Sequence, residues 1–115
     1  MKLLDNPVYY VIRYYARRTK VSDPTLLVLI SLADGEKHGY AMMEDIQRFA
    51  GIRLGPGTLY GAITRLEERG WIRPIDSGDR RRPYAITGAG KFYLEEQLAT
   101  LDQVFQTAMR RLKPA

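Results

Sequence analysis

The chain contains no cysteine, so neither a disulfide framework nor a thiolate metal site is open to it. That absence is compatible with a reducing compartment. It has one histidine, His38, and with no cysteine nearby a zinc site built on it is not expected. Long apolar runs are also missing: the longest, Leu26 to Ile30, is far too short to span a bilayer. Lys2 stands near the N-terminus, but Asp5 and Arg13 interrupt the apolar core that a signal peptide needs. Catalytic motifs are absent as well. No serine sits in a Gly-x-Ser-x-Gly elbow, and Gly55-Pro56-Gly57 lacks the lysine and the length of a phosphate loop. The carboxylate pairs Glu67-Glu68 and Glu95-Glu96 are adjacent on helices and diverge, as solvated residues do. Internal repeats and low-complexity segments are missing too. These absences predict a soluble cytoplasmic protein that is not an enzyme, needs no cofactor and does not enter a membrane.

Acidic residues are in deficit: 18 Lys and Arg face 13 Asp and Glu, a net charge of +5. The isoelectric point near 9.6 favours a polyanionic partner. At 115 residues there is room for one domain plus an extra helix or two.

The most informative stretch runs from Gly57 to Gly90. Leu59, Ile63 and Leu66 recur at helical spacing and face a core. Gly57, Gly61, Thr64 and Glu68 then fall on the opposite face, with Arg65 beside it. Gly70 ends this helix as a C′ glycine. Trp71 to Ile75 and Arg82 to Ile86 read as two strands joined by a Ser-Gly-Asp turn, with arginines at the tip. A helix followed by a basic β-ribbon is how a winged helix-turn-helix grips DNA, with the helix in the major groove and the wing on flanking phosphates.

The rest of the chain fits that frame. Asn6-Pro7 opens an N-terminal helix with Val8, Val11, Ile12 and Tyr15 on one side and Arg13, Arg17, Arg18 and Lys20 on the other. Tyr9, Tyr10, Tyr14 and Tyr15 could make that helix interfacial to a membrane. Packing of Val8, Ile12 and Tyr15 on the C-terminal helix is the preferred reading. Ser22-Asp23-Pro24 starts a helix carrying Leu26, Leu27, Ile30 and Ala33 on one face and ending near Gly35. A third helix begins around Gly39-Tyr40, turns Met42, Ile46 and Phe49 inward, and stops at Gly51. Residues 52–55 form the turn of the helix-turn-helix, and Pro56 opens the next helix. Thr87 caps a last helix that runs to about Leu112. Along it Leu94, Leu98, Leu101, Phe105, Ala108 and Leu112 alternate in steps of four and three, a heptad seam. Such a helix, roughly 37 Å long, cannot bury its stripe against a small winged domain along its whole length. A second copy of the chain is the expected cover, with packing on the N-terminal helix as the alternative.

The segments HGYAMMEDI, LGPGTLYGAITRLEERGWI and RRRPYAITGAG, in this order and spacing, resemble the PadR family of bacterial transcriptional regulators. The resemblance covers about 24–90, and GTLY followed by ITRLEERGWI carries most of it. Tyr84-x-x-Thr87-x-x-Gly90 supports it, and the short tail is similar to compact members with a single C-terminal helix. The resemblance implies a winged helix-turn-helix homodimer that represses genes from a palindromic operator. In many members a small aromatic or drug-like effector weakens binding. There are departures. Gly61 replaces a proline or larger residue, Thr64 stands where a basic residue is frequent, and Pro83 precedes the wing tyrosine. These bear on the operator sequence, not on the fold. The only tryptophan, Trp71, lies at the helix-to-strand junction and reads as core, whereas some compact members stack drugs on a C-terminal tryptophan. Drug sensing is therefore not carried over.

The expectation is a mainly α fold with a small β-hairpin in three parts. These are an N-terminal accessory helix (1–21), a winged helix-turn-helix domain (22–87) and a C-terminal dimerisation helix (88–115). Arg80, Arg81 and Arg82 are expected on phosphates rather than as a solvated tip. Arg65, which Glu68 alone of its near helical neighbours can pair, is expected on a base or a phosphate, with Gly61 and Thr64 beside it. Tyr60 is expected with its ring in the core and its hydroxyl on a phosphate. Thr58 and Tyr40, each at a helix start, are read as phosphate donors, with a capping neighbour as the alternative. The partners read from the sequence are double-stranded DNA, a second copy of the chain, and a small-molecule effector of unknown identity. A ligand-sensing dimer and a winged helix used only for protein contacts are the alternatives. An uncharged or acidic wing would have favoured the latter.

Overall fold

Helix α1 (Pro24–Leu32) begins where the sequence places it, with the Asp23 carboxylate accepting the Thr25 N–H at 3.0 Å and Pro24 in the first turn. The structure is a computed structural model that describes Pro7, residues 23–78 and residues 80–114. The expected N-terminal helix and its tyrosines lie outside the described residues, Pro7 apart. The apolar face expected on α1 is corrected. Leu27, Val28, Leu29 and Leu32 are buried, Leu26 and Ile30 are half-buried, and Ala33 is an exposed C-cap. The reason is enclosure: α1 touches three helices and the sheet, so burial runs nearly all round it. The hydroxyl of its buried Ser31 donates to the Asp45 carboxylate on the next helix at 2.7 Å.

A two-residue strand, β1 (Lys37–His38), follows, and the sequence reading did not anticipate it. It leads directly into α2 (Gly39–Ala50), which stops at the left-handed Gly51. Met42 and Ile46 are fully buried. Phe49, expected inward, is exposed, because Ala50 and Ile52 close that end of the core and leave it at the rim. Helix α3 (Pro56–Glu68) buries Leu59, Ile63 and Leu66 as their spacing predicts, and Ala62 with them. It ends in a Schellman motif: Trp71 N–H donates to Leu66 O and Gly70 N–H to Glu67 O, both at 3.0 Å, with Gly70 at φ 74°.

Strands β2 (Ile72–Pro74) and β3 (Pro83–Ile86) form the hairpin, shorter at their ends than expected. The antiparallel sheet has three strands in the order β1-β3-β2, with His38 opposite Pro83 and Lys37 opposite Tyr84. Helix α4 (Gly88–Leu112) is 25 residues long. Its cap is Thr87, whose hydroxyl oxygen accepts the Gly90 N–H at 3.1 Å and donates to Gly70 O at 2.7 Å. Of the heptad seam, Leu94 joins the core. Trp71, expected as core, is half-buried at the core's edge. Its ring stacks on Tyr93 with centroids 3.7 Å apart, and the Arg69 guanidinium lies 5.1 Å from it. Among the described residues no helix is long and apolar enough to cross a membrane.

Candidate nucleic-acid interface

The helix-turn-helix is α2, the 51–55 turn and α3, held together by the Met42, Ile46, Leu59 and Ile63 side chains in one core. That packing fixes which side of α3 remains outside. Thr58, Tyr60, Thr64, Arg65 and Glu68 are exposed there, and Gly61 is half-buried. Arg65 and Glu68 form no ion pair, although their spacing would permit one. The Thr64 hydroxyl donates back to Tyr60 O at 2.9 Å, so its proton is used inside the helix.

Tyr60 corrects its expected placement. It is 51% exposed, and its ring lies over the start of α2 rather than in the core. A Cβ at Gly39 would come within 2.7 Å of its hydroxyl, so α3 and α2 meet closely there because residue 39 is glycine. Tyr40 is exposed one residue further on.

The sheet brings the wing to the same place. Pairing of His38 with Pro83 sets the start of α2 beside the base of the arginine tip. The result is an open cleft of about 530 Å³ lined by His38, Gly39, Tyr40, Tyr60, Arg80, Arg81, Arg82 and Tyr84. Five of the residues singled out from sequence (Tyr40, Tyr60, Arg80, Arg81 and Arg82) therefore converge, while Thr58, Gly61, Thr64 and Arg65 lie outside the cleft lining. His38 and Tyr84 were missed as lining residues. Tyr84 was legible, since the sequence reads as a strand from Arg82 to Ile86 and residues two apart on a strand share a side. His38 gives no such signal, because β1 is too short to show a period.

The chemistry of the cleft suits an anion. Arginine forks match phosphate geometry, and tyrosine hydroxyls donate to it. Burial pushes the Tyr84 phenol above its ordinary value; the nearby Glu67 charge adds to that, and Arg82 opposes it. Tyr84 therefore stays a neutral donor at physiological pH. Away from the cleft, the Lys37 ammonium pairs with Asp34 and donates to Ser31 O, holding the turn before β1. The hydrogen bond that Lys37 donates to the Asp34 carboxylate, together with its charge, holds that carboxyl below its usual range. Among the described residues there is no cluster of His, Asp or Glu that could hold a metal ion.

Beyond Leu94, most of the α4 seam is left open by the described residues. Leu98 and Leu101 are 43% and 41% exposed, Leu112 and Ala108 are exposed, and Phe105 is half-buried.

Known proteins share both pattern and fold. The PadR-like family of transcriptional regulators matches residues 27–96. A transcriptional regulator of Mycobacterium tuberculosis is 37% identical over 83 residues, covering 69% of this chain and 76% of its own. A 37.1 kDa protein in a transposon of Streptomyces fradiae is 42% identical over 94 residues, covering 78% of this chain; the match spans only 27% of that longer protein. Among solved structures, a PadR family transcription regulator from Clostridium difficile superposes with a TM-score of 0.69 at 24% identity, covering 78% of this chain and 98% of the other. The winged-helix DNA-binding protein F93 from STIV gives 0.64 at 17% identity, covering 69% and 87%. Family members are transcriptional regulators and not enzymes. With the family's pattern running from α1 into α4 and the winged-helix fold beneath it, this chain belongs to the PadR-like family of transcriptional regulators.

Proposed function

We propose that the protein is a cytoplasmic repressor that binds double-stranded DNA sequence-specifically, as a homodimer on a palindromic operator. The observation that carries this is the adjacency of the outward side of α3 to the arginine and tyrosine cleft at the wing. A helix lying in a major groove would bring the flanking phosphate backbone to that cleft. In this reading Tyr40, Thr58, Tyr60, Arg80, Arg81 and Arg82 contact phosphates, and Gly61, Thr64 and Arg65 face base edges. Residues 22–87 are the DNA-binding unit and 88–115 the dimerisation helix, with 1–21 accessory to it. The exposed Leu98 and Leu101, in register with Leu94 and Phe105, support a two-fold seam along α4. The three arginines at the wing favour DNA over a purely protein-binding winged helix.

Selection from random duplexes tests this. The expected product is an inverted repeat whose half-sites lie one helical turn, about 34 Å, apart or a multiple of it. Affinity for the selected site should fall steeply with salt, log K against log salt declining by about 0.9 for each phosphate neutralised. Equal, weak binding to every duplex at all salt concentrations would overturn the proposal.

A further inference from the structure

Along α3 the residues at 57, 61 and 65 form one row four apart, and the first two are glycines. In that row the first side chain is that of Arg65. Helical side chains lean toward the N-terminus, so Arg65 runs back along the helix over the preceding turn. Its Nη1 lies 3.5 Å from where a Cβ of residue 61 would stand, and no other atom beyond the local helix comes within 4 Å of that point. No described residue hydrogen-bonds or pairs with the guanidinium, and the neighbouring Thr64 hydroxyl is turned to Tyr60 O. We propose that Gly61 is a positioning residue, an open seat that holds the Arg65 guanidinium one turn N-terminal of its own Cα, where a recognition helix meets base edges. This rests on the DNA-binding reading above and adds how the arginine reaches its base.

The seat explains how a helix row with no side chain at 57 or 61 can still read sequence. The N-terminal residues of a recognition helix are those that reach base edges. Gly61 leaves the backbone bare there, and the one arginine lying over it presents a bidentate fork to guanine. An alanine at 61 makes only an ordinary contact with Nη1 and leaves the fork in place. A longer side chain occupies the same space and evicts it.

The test compares full-length wild type, Gly61→Ala, Gly61→Leu, Arg65→Ala and the Gly61→Leu/Arg65→Ala double variant on wild-type-selected operators and on single-base-pair variants of them. Arg65→Ala and Gly61→Leu should each lose about 5- to 150-fold of discrimination at the same guanine in each half-site. The double variant should be no worse than either single one, since both remove one contact. Gly61→Ala should keep the guanine preference. Both Gly61 variants should melt higher than wild type, by about 4–8 °C for alanine, because glycine is a poor helix former and the site is open. Lost discrimination would then not be a folding defect. Additive losses in the double variant, or an equal loss in Gly61→Ala, would mean that Gly61 acts by backbone approach and not as a seat, and would overturn the inference. Discrimination retained in Gly61→Leu would overturn it too. Wild type with no selected operator would instead sink the proposed function itself.

Discussion

Gly90 occupies the point where the first turn of α4 crosses the backbone of residue 71, and a Cβ there would lie 2.1 Å from Trp71 O. That oxygen already accepts the Thr87 N–H at 3.0 Å, so it cannot withdraw without breaking that bond. Gly90→Ala should therefore destabilise the fold at or beyond the upper end of the usual 1–3 kcal/mol for overpacking. Thermal unfolding would show it, with Gly57→Ala, a change into open space, as the control. Tyr84 makes a separate prediction. Its phenol is raised above the ordinary value by burial, by Glu67 and, least, by Tyr60. The folded state thus holds this proton more tightly than the unfolded chain does. The stability it contributes is fully present below the unfolded value and lost as pH rises through the folded one. In an alkaline absorbance titration, Tyr84→Phe should remove a late-ionising phenol; loss of an early one would contradict the shift.

Caps and stops were legible because their physics is local. Asp23 with Pro24, Gly51, Pro56, Gly70 and Thr87 each act within a few residues, and all mark boundaries where the sequence places them. Strand β1 was not legible: two residues carry no period, and its partner lies more than forty residues away. Missing it hid the cleft, since pairing of 38 with 83 is what joins the wing to the start of α2. Phe49 and Ala33 were misplaced for a related reason: helical spacing gives a direction but not where the core ends. The wing itself predicts a generic effect. Changing Arg80, Arg81 and Arg82 together to alanine should weaken binding to operator and random duplexes alike. It should flatten the salt dependence by about 0.9 per lost phosphate contact. An altered base preference with an unchanged salt slope would assign the wing to sequence reading.

The described residues make a winged domain with one long helix leaving it, and the heptad pattern announced that helix although none of them covers most of its seam. If the seam pairs two copies, Leu101→Glu should place like charges near a two-fold axis and remove a burial worth about 1.5–3 kcal/mol on each side. Analytical ultracentrifugation should then show a monomer, with operator affinity falling far more than non-specific affinity. A wild type that sediments as a monomer at micromolar concentration would remove the dimer and the palindrome together. The joint between the two parts has an optical consequence. The end of α3 and the start of α4 are stitched through Thr87 and Gly70, and the Trp71 ring lies against Tyr93 across that joint. The chain contains no other tryptophan. Emission excited selectively at the tryptophan, apart from the eight tyrosines, therefore reports one place only, the joint between α3 and the long arm, and any ligand or DNA that turns one against the other writes its effect into that emission without a label.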